Sequence, residues 1–286
     1  MKLLVLGASG MAGHTIALYF LEKGHSVTSF TRGRFPIGSN VRGDIADQAQ
    51  LKKLLTEEQF DAVINCVGML NSACDREPAK AVYANSYFPH MLAELLQSSK
   101  AQLIHMSTDC VFSGQSSPYH ESSFPDGTTL YDRSKALGEL NNEHSLTFRN
   151  SIIGPDMKPD GIGLFNWFMK QSGTIYGYTG AIWTGVTTLT LAKAMEQAIT
   201  ERLTGLYHLV YPQSISKFEL LKLFNKHFKR NSLMILPSNA VQADKTLINQ
   251  RNDFGFIVPD YEKMIVEMKS WIMQHPALYP HYAVLN

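Results

Sequence analysis

Short apolar runs alternate with amphipathic segments along the first half of the chain. The apolar runs have the length of buried strands, and the segments between them place apolar residues at the helical period of 3.6. This pattern predicts strands at 2–6, 26–30, 41–45, 61–66 and 102–106, and helices at 11–23, 48–56 and 78–98. Strands that alternate with helices are typical of a parallel, doubly wound α/β sheet.

The second half of the chain does not keep this alternation. After a helix-forming run at 131–144, its pattern predicts strands at 146–150 and 206–210 and helices at 161–171, 188–200, 216–227 and 259–274. We therefore expect a Rossmann-type cofactor domain at residues 1–152, to which residues 183–204 return. A smaller, mixed substrate-binding part is expected at residues 153–182 and 205–286.

A glycine-rich turn, GASGMAG at residues 7–13, joins the first strand to the first helix. Glycines let the backbone approach a pyrophosphate, and the helix N-terminus offers it free N–H groups. The spacing is G-x-x-G-x-x-G rather than G-x-G-x-x-G, but strand, turn and helix follow in the order that a dinucleotide fingerprint requires. The turn predicts a dinucleotide site bound by Gly7, Ser9, Gly10, Met11 and Gly13.

The end of the second strand indicates which dinucleotide binds. An acidic residue there binds the ribose 2′-hydroxyl of NAD, and a basic residue accommodates the 2′-phosphate of NADP. This chain has Thr31-Arg32-Gly33-Arg34 and no carboxylate at this place. A solvated basic loop is the alternative interpretation. We expect NADP(H), with Thr31 and Arg32 as binding residues, and leave NAD(H) open.

Two later stretches complete the predicted cofactor site. Asp44 lies in the third predicted strand and can accept a hydrogen bond from an adenine amino group, with Ile45 against the ring. Asp44 or Asp47 could instead cap the next helix. The fourth strand ends in small residues that would let the chain pass close to a ribose, namely Asn65, Cys66, Val67 and Gly68.

Candidate catalytic residues lie near the middle of the chain. Tyr131 and Lys135 are four residues apart in a helix-forming run, which places them on one helix face. A phenol has a pKa of about 10, and a neighbouring ammonium group lowers it, so Tyr131 can exchange a proton with a ketone oxygen. Thr108, at the carboxyl end of the fifth strand, can hydrogen-bond the same oxygen. A bare Y-x-x-x-K is also compatible with an ordinary surface helix.

Composition argues against several other classes of protein. A net charge of +1 over 286 residues gives no reason to expect nucleic acid or an anionic membrane as a partner. No apolar run approaches the roughly 20 residues that a membrane span needs. Three cysteines without C-x-x-C spacing predict neither a disulfide framework nor a metal site. We expect a cytoplasmic protein and leave a homodimer open.

These motifs, taken in order, resemble the extended short-chain dehydrogenase/reductase superfamily, and within it the dTDP-4-dehydrorhamnose reductase family. The likeness covers nearly the whole chain. Besides the stretches above, it rests on YANSYFPHMLAELL at 83–96, STDCVFSG at 107–114, PYHESSFP at 118–125, YDRSKALGE at 131–139 and PDYEKMIVEM at 259–268. The chain has Cys110 and Asp132 where the family usually has Tyr and Gly, which bears on the substrate pocket.

The resemblance implies NADPH-dependent reduction of the C4 ketone of a nucleotide-linked 4-keto-6-deoxysugar, in surface-polysaccharide synthesis. Thr108, Tyr131 and Lys135 would be the catalytic residues, and Lys135 would also bind the nicotinamide ribose with Tyr131 beside it. Two alternatives stay open. One is an epimerase or dehydratase of the same superfamily, which would need an acid/base pair near Thr108. The other is a non-catalytic, NADP-binding regulatory subunit.

Overall fold

The computed structural model describes residues 1–282 of the chain. Its strands are β1 Lys2–Leu6, β2 Ser26–Thr31, β3 Ser39–Arg42, β4 Ala62–Asn65, β5 Gln102–Met106, β6 Ser145–Arg149, β7 Ser151–Ile153, β8 Thr174–Trp183, β9 Gly185–Thr187, β10 Gly205–His208, β11 Ile215–Ser216 and β12 Met234–Asp244. Its α-helices are α1 Met11–Glu22, α2 Gln48–Glu57, α3 Ser72–Arg76, α4 Pro78–Val82, α5 Phe88–Leu96, α6 Leu130–Leu137, α7 Leu164–Met169, α8 Thr188–Glu201, α9 Lys217–Phe228 and α10 Tyr261–Gln274.

Seven parallel strands form the main sheet, in the order β10-β6-β5-β4-β1-β2-β3. The chain moves outward from β1 in one direction through β2 and β3, and then returns to lay β4 on its other side. This topology confirms the predicted Rossmann-type, doubly wound fold. The reversal between β1 and β4 opens a crevice at the carboxyl ends of these strands, where ligands of such sheets bind.

The strands are apolar on both sides because helices cover both faces of the sheet. Leu3 and Val5 of β1 pack into one core with α1 and α8, and this core also contains residues of α9 and α10. Leu4 and Leu6 face the opposite core, formed with α5. The larger sheet and the later elements therefore share a continuous apolar core.

The strand β10 lies outside the position expected for it. Residues 205–208 were assigned to the smaller part on sequence alone, but Gly205–His208 pairs with β6 and extends the main sheet. The return of the chain to the main sheet, expected to end at residue 204, thus continues through this strand. The helix α8 packs on α1.

The predicted helix at 78–98 contains an irregularity that the sequence pattern does not indicate. It is built from α4, a π-helical turn at Tyr83–Tyr87 and α5. The predicted helix at 131–144 is also shorter than expected, because α6 ends at Leu137 and Gly138 follows it. The third strand lies at 39–42 rather than 41–45, since its partners are Thr28 to Thr31 of β2.

Two long strands were not predicted at all. β8 lies in a Gly/Thr-rich stretch, and β12 follows α9. They pair in parallel with each other, and β11 adds to the other edge of β8. One face of β8 packs against α9, while β12 is largely exposed. Strands of this kind are stabilised by pairing with neighbouring strands, and the local periodicity of the sequence does not reveal that pairing.

The helices of residues 1–282 include none that is long and apolar enough to cross a membrane. The same residues contain no group of three or more His, Cys, Asp or Glu side chains that could hold a metal ion.

Gly138 should be required for the packing of α6 against the π-helical turn. A Cβ atom at this position would lie 1.8 Å from the carbonyl oxygen of Asn85. We expect Gly138→Ala to lower the free energy of unfolding by about 2 kcal/mol or more, as overpacking of a backbone contact does. Gly33→Ala is the matched control, because a Cβ there meets no atom within 4 Å. Equal denaturation midpoints for the two variants would contradict this account.

Candidate active site

The glycine turn after β1 has the geometry of a phosphate-binding turn. Gly7 has φ +74°, and a Cβ there would lie 3.1 Å from the backbone of Cys66 and Val67. A Cβ on Gly13 would lie 2.4 Å from the carbonyl oxygen of Gly7. Side chains at these two positions would therefore prevent the turn from closing against β4 and α1.

The N-terminus of α1 is open to a ligand. Gly10 is its N-cap residue, and no side chain caps the helix. Ser9 and Gly10 are exposed, and Met11 is partly exposed. The first N–H groups of a helix have no partner within the helix and attract anions. The turn thus fits the pyrophosphate of a dinucleotide, as the sequence predicts.

An open groove lies at the carboxyl ends of β2 and β3, and its lining residues are Arg32, Arg42, Gly43 and Asp44. Arg42 was not predicted as a site residue. It lies beside Thr31 in the parallel pairing of β2 with β3, so the signal for it was the register of the two strands. Two guanidinium groups that line one groove suit a phosphate group.

The two aspartates after β3 have different roles. Asp47 caps α2, because its side chain accepts a hydrogen bond from the N–H of Gln50 at 3.0 Å. Asp44 is exposed in the groove and accepts from the N–H of Ala46 at 2.9 Å. Asp47 is therefore the residue that caps the helix. The carboxylate of Asp44 lines the groove and can accept further hydrogen bonds.

Thr31 and Ile45 are neighbours in sequence of the residues that line the groove, and both make hydrogen bonds that order the local backbone. The Thr31 hydroxyl donates to the carbonyl of Gly33 at 2.7 Å and accepts from the Asn40 amide at 2.8 Å. Thr31 is buried, so its side chain orders the loop that carries Arg32. Ile45 packs against the apolar core, and its carbonyl accepts from the Tyr83 hydroxyl at 2.9 Å.

The segment after β4 is fixed by a buried amide. The Asn65 side chain accepts from the N–H of Val67 at 3.1 Å and bonds Nδ1 of His105 at 3.1 Å. Cys66 and Val67 are partly buried, and Gly68 is exposed. These hydrogen bonds keep the segment against the glycine turn, where a ribose would pass.

A second buried amide, Asn85, ties the same segment to α6. Its oxygen accepts from the N–H of Met69 at 2.8 Å, and its nitrogen donates to the Met69 carbonyl at 3.0 Å. The nitrogen also donates to the Ser134 hydroxyl at 3.0 Å. Asn85 lies in the π-helical turn, and such turns are frequent at functional sites. Asn85 also lies in the stretch 83–96, one of those on which the family resemblance rests.

The helix α6 starts with a capping box that explains one departure from the family pattern. The Thr129 hydroxyl accepts from the N–H of Asp132, and the Asp132 carboxylate accepts from the N–H of Thr129. These two bonds satisfy orphan donors at the start of the helix. Asp132 therefore stabilises α6 instead of lining a substrate pocket.

Tyr131 and Lys135 lie on one buried face of α6, as their spacing predicts. Tyr131 is 9% exposed and Lys135 is 5% exposed. The Lys135 ammonium donates to the carbonyl of Met106 at 2.6 Å, so it lies at the carboxyl end of β5. Burial lowers the pKa of Lys135 to about 8, which still leaves most of this side chain charged at neutral pH.

Burial, rather than Lys135, dominates the acidity of Tyr131. It raises the pKa of the phenol well above its usual value, and the adjacent Thr108 hydroxyl opposes this shift. The expectation that the ammonium lowers this pKa is therefore not met, because desolvation disfavours the phenolate more strongly. Tyr131 keeps its proton at neutral pH and can act as a proton donor.

Thr108 and the following turn complete this part of the site. The Thr108 oxygen accepts from the N–H of Cys110 at 3.2 Å, and the hydroxyl donates to the Asp109 carboxylate at 3.2 Å. Burial raises the pKa of Asp109, and it raises that of the Cys110 thiol to about 11. Cys110 is thus an un-ionised, partly buried thiol beside Tyr131, not an activated nucleophile.

The predicted site residues fall into two groups in space. The glycine turn, the segment after β4 and the β2–β3 groove line one continuous edge of the sheet. Thr108, Tyr131 and Lys135 lie at the end of β5, next to it. Trp183 is a core residue packed on Tyr261, whereas Trp167 is 43% exposed on α7.

A Rossmann sheet with a Tyr-x-x-x-Lys helix at the end of β5 defines the class of extended short-chain dehydrogenases/reductases. Within this class, the family model described as RmlD substrate binding domain matches residues 1–247, and the chain belongs to this family.

Two curated relatives that are similar to the chain have different names. dTDP-4-dehydrorhamnose reductase of Streptomyces griseus is 33% identical over 138 residues, 48% of this chain and 43% of the relative. Methionine adenosyltransferase 2 subunit beta of Xenopus laevis is 28% identical over 166 residues, 55% of this chain and 48% of the relative. The matched region spans about half the length of the curated relatives.

A structural match to a solved protein covers more of the chain than these sequence matches do. The structure of dTDP-4-dehydrorhamnose reductase from Bacillus anthracis strain Ames, in complex with NADP, matches with a TM-score of 0.78. The match covers 93% of this chain and 98% of the solved one, at 21% identity. It establishes that the two proteins share a fold.

The Tyr131 phenol should not ionise in the range where ordinary tyrosines do. We expect the ultraviolet phenolate titrations of the wild type and of Tyr131→Phe to coincide up to a pH of about 10, because burial disfavours the anion. Tyr176→Phe removes a phenol that is 62% exposed and calibrates the signal of one residue. Loss of one phenolate signal below that pH in Tyr131→Phe would contradict the assignment.

Proposed function

We propose that the protein reduces the C4 ketone of a nucleotide-linked 4-keto-6-deoxysugar with NADPH, for surface-polysaccharide synthesis. The observation that supports this proposal is the buried Tyr131 phenol, which lies beside the Thr108 hydroxyl and shares the buried face of α6 with Lys135. The name of the Streptomyces griseus relative and the NADP complex of the Bacillus anthracis structure are consistent with it.

The residues around the edge of the sheet fit a nicotinamide dinucleotide. The turn containing Gly7 and Gly13 and the N-terminus of α1 would bind its pyrophosphate. Arg32 and Arg42 would bind a 2′-phosphate, which NADP carries and NAD lacks. Lys135 would donate to the nicotinamide ribose while still anchored near the Met106 carbonyl. When bound, the cofactor supplies a hydride.

Thr108 and Tyr131 would then act on the ketone oxygen. The Tyr131 hydroxyl can donate to this oxygen, and Thr108 can do so when its single hydroxyl proton turns from the Asp109 carboxylate to the ketone. These bonds would keep the carbonyl carbon oriented for hydride addition. As the carbon–oxygen π electrons move to oxygen, Tyr131 gives its proton to the developing alkoxide, and the product is an alcohol. The resulting phenolate lies near the Lys135 ammonium, which stabilises it until solvent returns a proton.

The turn after Thr108 favours reduction over epimerisation or dehydration. Asp109 is buried, and its carboxylate is already bonded to the Thr108 hydroxyl. Its neighbour Cys110 is a thiol with a raised pKa, so residues 107–111 offer no second acid/base group. A regulatory subunit would have no use for a protonated phenol in this position. One relative is named as a subunit, methionine adenosyltransferase 2 subunit beta.

Tyr131→Phe should abolish reduction and leave the affinity for NADPH nearly unchanged, because the phenol acts on the sugar. The measurement is NADPH oxidation, followed by nicotinamide absorbance, against a panel of dTDP- and UDP-linked 4-keto-6-deoxysugars. Tyr176→Phe should behave like the wild type. A wild-type rate in Tyr131→Phe would remove the assignment of Tyr131 as the acid, and no oxidation by the wild type across the panel would reject the reductase.

Arg32→Ala and Arg42→Ala should each weaken NADPH binding by roughly tenfold and change NADH binding much less, since only NADPH has the 2′-phosphate. Fluorescence titration of the reduced cofactors measures both affinities. Arg133→Ala, which removes an exposed guanidinium from α6, is the control. Equal losses for NADPH and NADH would show that neither arginine reads the phosphate.

A further inference from the structure

A buried ion pair lies behind the candidate active site and has no part in the chemistry proposed above. Glu139 lies two residues beyond the end of α6 and four residues after Lys135, and Arg149 ends β6. Their side chains are 9% and 2% exposed. The Arg149 Nε donates to Glu139 Oε1 at 2.7 Å, and its Nη2 donates to Oε2, so the contact is bidentate.

Hydrogen bonds connect this pair directly to the end of β5. The Ser107 hydroxyl donates to Glu139 Oε1 at 2.6 Å. Ser107 precedes Thr108, and Met106, whose carbonyl accepts from Lys135, precedes Ser107. The Glu139 carboxylate thus fixes Ser107. This residue lies between Met106, whose carbonyl binds Lys135, and Thr108, whose hydroxyl is proposed to bind the ketone.

Arg149 is fixed from its other side, so it cannot follow a moving carboxylate. Its Nη1 donates to Nε2 of His208 at 3.0 Å, and His208 Nδ1 donates to the carbonyl of Ile248 at 2.9 Å. Burial and Arg149 together lower the pKa of His208 to about 3, so this ring stays neutral. The guanidinium also lies 4.9 Å from the centre of the Phe112 ring.

Stability alone is a weak reason for such an arrangement. The desolvation cost of a buried ion pair often exceeds its attraction, and apolar residues of similar volume stabilise a core as well or better. An apolar pair of residues would not provide an anion at a fixed position, as the ion pair does. The hydrogen bond of Glu139 with Ser107 and the position of Glu139 four residues after Lys135 indicate a use at the active site.

We propose that Glu139 is a positioning residue for the reduction: its carboxylate fixes Ser107 and supplies a constant negative charge beside Lys135. This inference rests on the proposed function for its catalytic meaning. The charge would keep the ammonium protonated when the phenolate forms on Tyr131. Arg149 in turn holds the carboxylate in place through its bidentate contact.

The groups around Lys135 single out Glu139 as the source of this effect. Burial lowers the pKa of Lys135, and Glu139 and the Cys66 thiol oppose it. Burial raises the pKa of Cys66 to about 12, so this thiol is neutral. His105 on β5 is neutral because its pKa is far below its usual value. Asp109, in the turn against which α6 packs, is influenced by Lys245 and Lys217 instead.

The test is a titration of Lys135 by NMR in protein labelled with carbon-13 at lysine Cε, with the signal assigned by its loss in Lys135→Met. Without the Glu139 anion, the charged form of Lys135 is less favoured. We expect Glu139→Gln to move the titration midpoint down by roughly one pH unit or more. Glu143→Gln removes an exposed carboxylate four residues later and should leave the midpoint unchanged.

Activity supplies the second measurement. In Glu139→Gln, the loss of the reduction rate at alkaline pH should begin at a correspondingly lower pH, while kcat at neutral pH falls less. If Glu139→Gln does not fold with Arg149 unpaired, Glu139→Gln/Arg149→Met removes both buried charges, and the Lys135 midpoint should still fall. An unchanged Lys135 midpoint in the folded variant would overturn the inference.

The two proposals can fail separately. The NMR titration needs no substrate, so an unchanged midpoint rejects the role of Glu139 whatever the protein reduces. A lowered midpoint in a protein whose wild type oxidises NADPH with no member of the sugar panel would reject the proposed function and leave the electrostatic coupling intact.

Discussion

The packing of α6 against the end of β5 and the π-helical turn is the constraint on which the candidate site depends. Gly138 lets the helix approach the backbone at Asn85, and Asn85 reaches both Ser134 and Met69. This approach buries the face that carries Tyr131 and Lys135 before any ligand binds. The same contact therefore sets the positions of the proton donor and of the segment expected to pass a ribose.

Burial then sets the protonation states of the site. It keeps the Tyr131 phenol and the Cys110 thiol neutral, and it lowers the pKa of the Lys135 ammonium to about 8. A protonated phenol suits a reductase, because reduction consumes a proton at the ketone oxygen. Burial disfavours the charged form of Lys135, and Glu139 partly offsets this effect. Arg149, at the end of β6, orients the Glu139 carboxylate. The packing of α6 therefore determines both the positions and the protonation states of these side chains.

Much of this site could be predicted because its signals are local. A glycine turn after a buried strand, a Tyr and a Lys four residues apart, and hydroxyl residues at a strand end all carry their geometry in short stretches. The π-helical turn, the pairing of β8 with β12 and the groove position of Arg42 depend on partners far along the chain. Glu139, Arg149 and His208 likewise meet only in the fold. The wrong expectation for the Tyr131 pKa has the same cause, since spacing reports a neighbour but not the depth of burial.

The central claim is that a hydride passes from the nicotinamide to a ketone carbon as Tyr131 protonates the oxygen. The most direct measurement uses NADPH with deuterium at the transferable position and a reactive 4-keto-6-deoxysugar nucleotide. The account predicts one deuterium on the former ketone carbon of the product and one oxidised cofactor for each product formed. Product formation without net cofactor oxidation, or without retained deuterium at that carbon, would contradict it and indicate an epimerase or dehydratase.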